Sequence, residues 1–360
     1  EDFGSRLSEE LSQLKEDLES WTYQPSPVRR VEIPKPGGKG IRLLGVPTVR
    51  DRVVHATLKL LLEPIFEPDL PPRQYGFRRG LDAKMAVRRI HFTIVERGKR
   101  EVVDADLSDY FNTIPHGDLM RSVARRIADG TLLSVIRAWL AVPVCERAAR
   151  GGERRTTQAK DQYRGVPQGG IISPLLSNLY FRRFLLAWYG NGYAERHQAE
   201  VVNYADDFVL LCPPGKGQGA MADMRRLMLR LGLTVNDQKT RLVRLPEERF
   251  DFLGYTIGRR YGKDGRPYIG TRPSRKAVSR LIRRVRHETS RRWLSKSAES
   301  RVRELNRLLR GWAAYFDQGP VLQEYALVNR IDHGVWGGTS ERQRRRILKA
   351  RRVAAEGQPV

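Results

Sequence analysis

The sequence VVNYADDFVLL, at residues 201–211, has apolar β-forming residues on both sides of a polar centre. This pattern predicts two strands joined by a tight turn, with Asp206 and Asp207 at the tip of the hairpin. An isolated Asp-Asp pair is usually a solvated turn, because adjacent carboxylates repel each other unless water, protons or cations offset their charge. The apolar flanks indicate buried strands, so we expect this pair to lie at the end of a core sheet.

A second acidic segment, DADLSDY at residues 104–110, follows a short apolar strand that begins at Val102. Asp106 ends this strand, but Asp104 and Asp109 compete for the role of third carboxylate, and alternation places Asp104 on the same side as Asp106. Carboxylates that converge at strand ends supply the oxygen ligands preferred by hard divalent cations. Two such ions can activate a primer 3′-hydroxyl and stabilise the leaving pyrophosphate, which is the chemistry of a polymerase.

The charge of the chain points to a polyanionic partner. There are 66 Lys and Arg residues against 41 Asp and Glu, which gives a net charge of +25 and a pI near 10.5. A field of this size concentrates nucleic acid near the surface, although charge alone does not separate an enzyme from a ribosomal or architectural protein. With 360 residues and 40% hydrophobic content, the chain is expected to form two or three structural units.

The sequence lacks a run of about 18 apolar residues and a secretory signal, so we expect a cytoplasmic protein with no membrane partner. Cys145 and Cys212 form no CxxC pair and no Cys/His spacing typical of zinc modules. Disulfides and structural zinc are therefore not expected.

Hydrophobic periodicity predicts the other elements. Leucines at helical spacing from Leu7 to Leu18 predict an amphipathic helix, and a glycine-rich turn at 36–40 between short apolar runs predicts a hairpin. After Pro273, apolar residues recur at helical spacing among arginines, which predicts a basic helical domain. Further helices are predicted at 53–65, 119–127, 132–140, 172–189 and 221–231, with a flexible loop at 215–219 that lacks the ending of a phosphate-binding motif.

Several segments, taken in chain order, resemble one family. YADD at 204–207 is similar to the signature of reverse transcriptases in the form common among group II intron enzymes. DADLSDYFNTIPH at 104–116 resembles the family's first catalytic segment, and GVPQGGIISPLLSN at 165–178 resembles its most recognisable stretch. The remaining similar segments are IPK at 33–35, residues 42–52 and YGFR at 75–78 in the fingers, residues 232–240 in the palm, FLGY at 252–255 in the primer grip, and residues 305–316 in the thumb.

The resemblance implies an α+β fold with the right-hand architecture of a polymerase: fingers, a palm of antiparallel sheet plus helices, and an α-helical thumb. It implies four parts. These are 1–100 (N-terminal helix and fingers, with part of the palm), 101–272 (palm with the YADD hairpin and an interleaved finger segment), 273–332 (a helical thumb similar to maturase domains) and 333–360 (a basic C-terminal tail).

The resemblance also assigns roles to residues of the active site. Asp106, Asp206 and Asp207 are the implied catalytic residues; together with the backbone carbonyl of Leu107 they are expected to bind two Mg²⁺ ions, for which Mn²⁺ can substitute. The residues expected to contact the deoxynucleoside triphosphate are Lys35, Arg42, Phe111, Gln168 and Lys239. For Lys35 and Arg42, a solvated surface cation is the alternative.

Nucleic acid is expected at two further groups of residues. The template and primer group comprises Pro167, Gly169, Tyr204, Phe252, Leu253 and Gly254. Glycine lacks a Cβ, so the PQGG turn at 167–170 can bring backbone close to a base pair. The second group is a basic platform in the thumb, comprising Arg280, Arg283, Arg284, Arg291 and Arg292.

The function implied is RNA-directed DNA polymerisation, with an RNA template, a DNA or RNA primer, deoxynucleoside triphosphates and a structured intron-type RNA as partners. One alternative is a maturase that binds its intron RNA for splicing. Another is a related polymerase in phage defence or in CRISPR spacer acquisition. The sequence contains no Cys-rich endonuclease module, so DNA cleavage is expected to come from a partner or not to be needed. It leaves the oligomeric state open.

Overall fold

The computed structural model describes residues 4–34, 40–147, 153–290 and 297–319. The chain divides into two compact units, one of residues 1–86 and 96–243 and the other of residues 87–95 and 244–360. The division into four parts stays a prediction, and the tail at 333–360 lies outside the described residues. Within the described ranges, no helix is both long enough and apolar enough to cross a bilayer.

The strands and helices have the following bounds. The strands are β1 Val28–Pro34, β2 Ile41–Val46, β3 Glu101–Ala105, β4 Val144–Arg147, β5 Glu153–Thr156, β6 Glu200–Tyr204, β7 Asp207–Cys212, β8 Arg241–Arg244, β9 Arg249–Phe252, β10 Tyr255–Tyr261 and β11 Pro267–Pro273. The helices are α1 Leu7–Glu19, α2 Val49–Phe66, α3 Ala83–Val95, α4 Tyr110–Thr113, α5 His116–Ala124, α6 Gly130–Leu140, α7 Gln158–Gln162, α8 Ser173–Gly190, α9 Tyr193–Arg196, α10 Gly217–Arg230, α11 Arg275–Glu288 and α12 Ala298–Tyr315.

The central sheet of the first unit has the strand order β6-β7-β3-β8, and β7 is antiparallel to both β6 and β3. Most residues of β3, β6 and β7 are buried because helices pack against this sheet. The fully buried Phe208 of β7 lies edge-on to Phe181 of α8, with ring centroids 5.2 Å apart. Nearly every turn of α8 contributes buried residues, which explains why its sequence has no polar face.

A second sheet of the first unit has the order β2-β1-β4-β5. The predicted hairpin at its edge is confirmed, since β1 and β2 pair antiparallel from Arg29 with Val46 to Pro34 with Ile41. The next element, α2, begins at a capping residue, Thr48, whose hydroxyl accepts a hydrogen bond from the Asp51 amide. This side-chain cap fixes the residue at which α2 begins, and two residues separate it from the end of β2.

The structure confirms most of the predicted helices: α1, α2, α5, α6, α8, α10 and α11 lie where the periodicity put them. The expectation of a loop over 215–219 is wrong from Gly217 onward, where α10 begins. The Gly217 amide donates a 2.7 Å hydrogen bond to the buried carboxylate of Glu101, at the start of β3. A Cβ at Gly217 would lie 2.5 Å from Leu242, so this glycine allows close packing of the helix on the sheet.

The second unit contains a three-stranded antiparallel sheet, of order β11-β10-β9, with α11 and α12. One face of this sheet is apolar, with Phe250, Phe252, Tyr255 and Ile257 buried. The two helices pack through Leu281, Val285 and Leu305, and Trp312 lies against this cluster. The helices predicted after residue 273 are present as α11 and α12 in the described ranges 274–290 and 297–319, and the domain itself stays a prediction.

Candidate active site

The turn between β6 and β7 contains only Ala205 and Asp206, because Tyr204 pairs with Asp207 across the hairpin. Ala205 has a φ of 59°, a left-handed conformation that is uncommon for a residue with a Cβ. The fully buried Asn203 stabilises this turn: its Nδ2 donates hydrogen bonds to the carbonyl oxygens of Ala205 (2.6 Å) and Asp207 (3.4 Å). The two acids are therefore fixed by a side chain inside the strand.

The segment of residues 73–76 lies along the outer edge of β6. The Tyr75 amide donates to the Asn203 carbonyl (2.8 Å), and the Asn203 amide donates to the Arg73 carbonyl (3.1 Å). Asn178 of α8 anchors the same segment, because its Nδ2 donates a 2.7 Å bond to the Gly76 carbonyl. A Cβ at Gly76 would lie 2.2 Å from the Ala205 amide nitrogen, so only glycine fits here.

Asp106 immediately follows β3, whose last residue, Ala105, pairs with Phe208 of β7. This register carries Asp106 to the end of the sheet where the acidic turn lies. Its carboxylate accepts a 3.0 Å hydrogen bond from Lys239 Nζ, and its amide donates to Thr240 Oγ1 at 3.2 Å. The segment after α10 thus supplies both a cation and a hydroxyl to Asp106.

Leu107 bridges to Val235 in antiparallel fashion. The flanking bonds run from the Asn236 amide to the Asp106 carbonyl and from the Ser108 amide to the Thr234 carbonyl, both 2.8 Å. The Leu107 carbonyl accepts neither of these two hydrogen bonds. It is the group predicted to bind metal. Its role as a ligand stays a prediction.

The electrostatics of the site centre on Asp207. Its pKa is raised to about 7, first by desolvation of its carboxyl group and then by the negative charges of Asp206, Asp106 and Asp104, while Lys239 acts in the opposite direction. Asp207 is the exposed first residue of β7, beside the turn that contains Asp206. An excess of negative charge is the property that a bound cation would reverse.

The two alternative acids have local partners. Asp104 forms an ion pair of 3.6 Å with Arg241. Asp109 precedes α4 in a left-handed conformation and accepts a 2.8 Å hydrogen bond from Asn112 Nδ2. Asp104 and Asp106 both add negative charge to the surroundings of Asp207, and the choice of Asp106 as the third carboxylate stays a prediction.

Within the described part of the chain, no three Asp, Glu, His or Cys side chains are gathered closely enough to enclose a metal ion. The donor set nevertheless suits hard cations, because Asp106, Asp206 and Asp207 offer carboxylate oxygens only. The ammonium group of Lys239 pairs with the Asp106 carboxylate at 3.0 Å. The residues present therefore fit divalent ions in charge and ligand type.

The predicted PQGG turn packs against β2. The Gly45 amide donates a 2.7 Å hydrogen bond to the Gln168 carbonyl, and a Cβ at Gly169 would lie 2.6 Å from the Gly45 carbonyl oxygen. Gly169 also has a φ of 120°, which L-residues rarely adopt. Pro167 accepts a 2.7 Å hydrogen bond from Ser173 Oγ at the start of α8. Gly169 therefore allows the PQGG turn and β2 to pack closely against each other.

Phe111, on α4, is half-buried and packed against the core of the first unit. Its ring lies edge-on between Tyr110 (5.6 Å between centroids) and Phe77 (6.5 Å). The Tyr110 hydroxyl donates a 2.7 Å hydrogen bond to the Ser177 carbonyl, which fixes the ring behind Phe111. The Phe111 carbonyl accepts a hydrogen bond from the Val166 amide, so α4 and the segment before the PQGG turn are joined directly.

Several predicted residues lie elsewhere or outside the described residues. Phe252, Leu253 and Gly254 belong to the second unit. Tyr315 of α12 donates a 2.8 Å hydrogen bond to the Leu253 carbonyl. Arg280, Arg283 and Arg284 are exposed on α11. Lys35, Arg291 and Arg292 lie outside the described residues, and of Arg42 only the backbone in β2 is described.

The sequence did not identify Asn203, Gly76 and Thr240 as residues that support the acidic site. A buried amide in an otherwise apolar strand is costly unless it forms hydrogen bonds, so Asn203 between Val202 and Tyr204 was a usable signal. Gly76 gave no such signal, because the atom that excludes a Cβ belongs to residue 205.

The comparisons with known proteins agree with this geometry. Residues 33–257 match the family described as "Reverse transcriptase (RNA-dependent DNA polymerase)". The chain belongs to the reverse transcriptase family. Residues 278–354 match the "Group II intron, maturase-specific domain", so this reverse transcriptase is of the group II intron type. It is an RNA-directed DNA polymerase, and enzymes of this family use divalent metal ions.

Two relatives illustrate the match. This reverse transcriptase is 34% identical over 307 residues to protein YkfC of Escherichia coli (strain K12), which covers 76% of the chain and 78% of YkfC. It is 32% identical over 172 residues to the group II intron-encoded protein LtrA of Lactococcus lactis subsp. cremoris, which covers 48% of the chain but 27% of LtrA. The chain thus spans about a quarter of LtrA.

Among solved structures, the apo telomerase from Candida Tropicalis superimposes with a TM-score of 0.52 at 13% identity, over 85% of this reverse transcriptase and 59% of the telomerase chain. A likeness at this identity concerns fold alone. It confirms the predicted α+β fold of a right-hand polymerase.

Proposed function

We propose that the protein copies an RNA template into DNA by extending the 3′-hydroxyl of a DNA or RNA primer with deoxynucleoside triphosphates. Asp106, Asp206 and Asp207 hold two Mg²⁺ ions for this reaction, and Mn²⁺ can replace them. The observation that carries the proposal is the strand register, which brings Asp106 to the end of the central sheet where Asp206 and Asp207 lie. Desolvation and repulsion from the neighbouring acids raise the pKa of Asp207 to about 7. Such repulsion destabilises a protein, so its presence at a sheet end indicates a site kept for cations.

When bound, the two ions would activate the primer hydroxyl and stabilise the leaving pyrophosphate. The protein's own residues orient the reactants. Asn203 and Gly76 fix the turn that contains Asp206 and precedes Asp207, and Lys239 provides a positive charge beside Asp106. Rigid carboxylates reduce the reorganisation needed at the transition state.

The incoming nucleotide is proposed to lie between the acids and the PQGG turn. Phe111 then packs against its sugar, Gln168 and Lys239 contact it, and Lys35 and Arg42 bind the triphosphate. Pro167, Gly169 and Tyr204 contact the template and primer, and Phe252, Leu253 and Gly254 support the primer end. Arg and Lys suit triphosphates because the first is a multidentate donor and the second a mobile point charge.

A structured intron-type RNA is the proposed additional partner. The support is the match of residues 278–354 to the maturase-specific domain, together with the basic residues exposed on α11. Splicing by RNA binding is therefore the second candidate function, and it is compatible with polymerisation. The comparisons do not favour phage defence or CRISPR spacer acquisition.

Primer extension tests the main proposal. The purified chain is given an RNA template with an annealed DNA primer, and extension is measured with Mg²⁺, with Mn²⁺ and with EDTA. We expect extension with either ion and none with EDTA. Asp206→Asn and Asp106→Asn should each lower kcat by at least about a thousandfold, since removing a ligand costs several kcal/mol of transition-state stabilisation.

Asp109→Asn is the matched control, because it removes a nearby acid that pairs locally with Asn112. RNA affinity should stay nearly unchanged in the Asp206 and Asp106 variants, because these acids do not contact phosphate. Extension by either variant at the wild-type rate would rule out the assignment.

A further inference from the structure

The three-stranded sheet of the second unit has a polar face with an unusual composition. Gly258 of β10 pairs directly with Gly270 of β11, and the adjacent pair on the same face is Arg260 with Tyr268. Arg249 pairs with Gly258 from the third strand. The residues that share this face around the two glycines, here called the Tyr268 face, are Arg249, Arg260, Arg272, Tyr268, Gly258 and Gly270.

The opposite face of the sheet is its core side. There Phe250 and Ile257, which pair with each other, are buried. The Tyr268 face contributes no large apolar side chain to this core, and Tyr268 has 42% of its surface exposed. A large aromatic side chain on the polar side of a sheet contributes little to stability when it is this exposed.

Two glycines facing each other in strand interiors weaken a sheet, and such positions often mark close approach of a ligand or backbone. Here they also determine how the neighbouring side chains lie. A Cβ at Gly270 would be 2.6 Å from the Tyr268 ring and 3.1 Å from Cγ of Arg260. Both side chains thus lean over Gly270, so an aromatic ring and a guanidinium stem lie close together on the sheet.

The charge on this face is positive. Its three arginines are accompanied by one acid, Asp251, whose carboxylate accepts a 2.5 Å hydrogen bond from Thr256 Oγ1. Arginine binds phosphates through a planar fork of donors, and an exposed aromatic ring stacks on an unpaired base. Unlike a uniformly charged patch, this arrangement provides for both parts of a nucleotide.

We propose that the Tyr268 face binds single-stranded RNA, with one base stacked on Tyr268 and Arg260 contacting an adjacent phosphate. A base inside a duplex already has its two faces stacked, so an unpaired strand is the partner that can use the ring. The proposal rests on the proposed function only in that the partner is RNA. It requires neither metal nor catalysis.

The other side of the same hairpin supplies matched controls. Arg259 lies on the core side and forms an ion pair with Glu247 at 3.5 Å. Tyr261, 65% exposed, also lies on that side, opposite Pro267 at the end of the strand. Arg259→Gln and Tyr261→Ala therefore match Arg260→Gln and Tyr268→Ala in chemistry but change the opposite face.

Binding is measured by fluorescence anisotropy with a labelled 12-nucleotide oligo(U) RNA in EDTA, over a range of salt concentrations. We expect Tyr268→Ala to weaken binding about tenfold with the salt slope unchanged, and Tyr268→Phe to restore it. Arg260→Gln should weaken binding and reduce the salt slope by about 0.7. Arg259→Gln and Tyr261→Ala should bind like the wild type.

Crosslinking locates the contact independently. RNA containing 4-thiouridine is irradiated on the wild-type chain, and the attached peptide is identified by mass spectrometry. We expect attachment to the peptide that contains Tyr268. If Tyr268 only covers Gly270, Tyr268→Ala will lower the melting temperature and leave both binding and crosslinking unchanged, which would refute the proposal.

Two other results would also refute it: equal weakening by variants of both faces, or tighter binding of a duplex RNA than of oligo(U). Primer extension by the wild-type chain is assayed separately with Mg²⁺. Loss of that activity alongside normal Tyr268-dependent binding would count against the proposed polymerase function and leave the Tyr268 face supported.

Discussion

Asn203 Nδ2 donates a 2.6 Å hydrogen bond to the carbonyl oxygen of Ala205, the first residue of the turn that carries Asp206. The bond connects a buried side chain of β6 to the backbone conformation at the catalytic acids. Asn203→Ala leaves that carbonyl unsatisfied, so we expect stability to fall by about 1–3 kcal/mol. Because the acids also lose their fixed position, kcat should fall about tenfold to a hundredfold.

Val202→Ala is the control, since it truncates the preceding buried residue of the same strand without touching the turn. Thermal unfolding and single-turnover extension are measured on both variants, at a temperature where both are folded. If the two variants lose activity in proportion to stability alone, Asn203 does not position the turn.

Gly76→Ala should displace the turn from the outside. The added Cβ would lie 2.2 Å from the Ala205 amide nitrogen, a separation that requires backbone movement. We expect kcat/KM for primer extension to fall about a hundredfold or more, with about 1–3 kcal/mol lost from stability. Gly117→Ala, where a Cβ meets nothing within 4 Å, should leave kcat/KM unchanged. A Gly76→Ala enzyme with wild-type kinetics would contradict the packing described.

Phe111 is predicted to exclude ribonucleotides, because a 2′-hydroxyl would meet its ring. Phe111→Val should raise ribonucleotide incorporation relative to deoxyribonucleotide by about a hundredfold, which corresponds to a few kcal/mol. The measurement is the ratio of the two kcat/KM values in a variant shown to be folded. Phe77→Ala removes the ring beside Phe111 and should leave the ratio unchanged. Lower stability with an unchanged ratio in Phe111→Val would make Phe111 a core residue only.

His55 gives a prediction about acid stability. Burial lowers its pKa to about 4 from the usual 6.5, against the opposing effect of Asp51. Its ring lies edge-on to Trp139 with centroids 4.2 Å apart, and within the described residues neither ring nitrogen has a hydrogen-bond partner. The folded state therefore keeps this ring neutral.

The unfolded chain binds a proton at His55 below about pH 6.5, whereas the folded chain does so only near pH 4. The associated stability is complete above pH 6.5 and is lost as the pH falls towards 4, by up to about 3 kcal/mol. In urea unfolding between pH 7 and 4, His55→Phe should show a shallower loss than the wild type. His287→Gln, which changes an exposed histidine, should follow the wild type. If the free energy of unfolding changes with pH identically in His55→Phe and in the wild type, His55 is not the source of the acid-induced loss of stability.

The basic platform on α11 predicts a strong salt dependence of intron-type RNA binding, because each neutralised phosphate releases counterions. Replacing Arg280, Arg283 and Arg284 together by Gln should reduce the slope of log K against log salt by about 2–3. Arg284 also pairs with Glu288 at 2.8 Å, so of the three arginines it should contribute least to the salt slope. Arg121→Gln, on α5 and paired with Asp118, is the control for a lost charge. An unchanged slope in the triple variant would remove α11 from the RNA-binding surface.

The sequence by itself determined the local elements and the chemistry of the site. Alternation around YADD predicted the hairpin, and helical periodicity predicted α2, α8 and α11, because a side chain's preference for core or solvent repeats with the geometry of its own element. The acidic segments predicted the residues that lie at the end of the central sheet, since the pattern of apolar strand followed by acid is itself local.

Tertiary structure alone decided which distant residues support these elements. Gly76 is required by an atom of residue 205, and Gly169 by the carbonyl of Gly45. Part of the flexible loop expected at 215–219 is the start of α10, where the Gly217 amide donates to Glu101, more than a hundred residues earlier in the chain. Preference for an element is encoded over a few residues, whereas close packing and buried hydrogen bonds depend on partners brought together only when the chain folds.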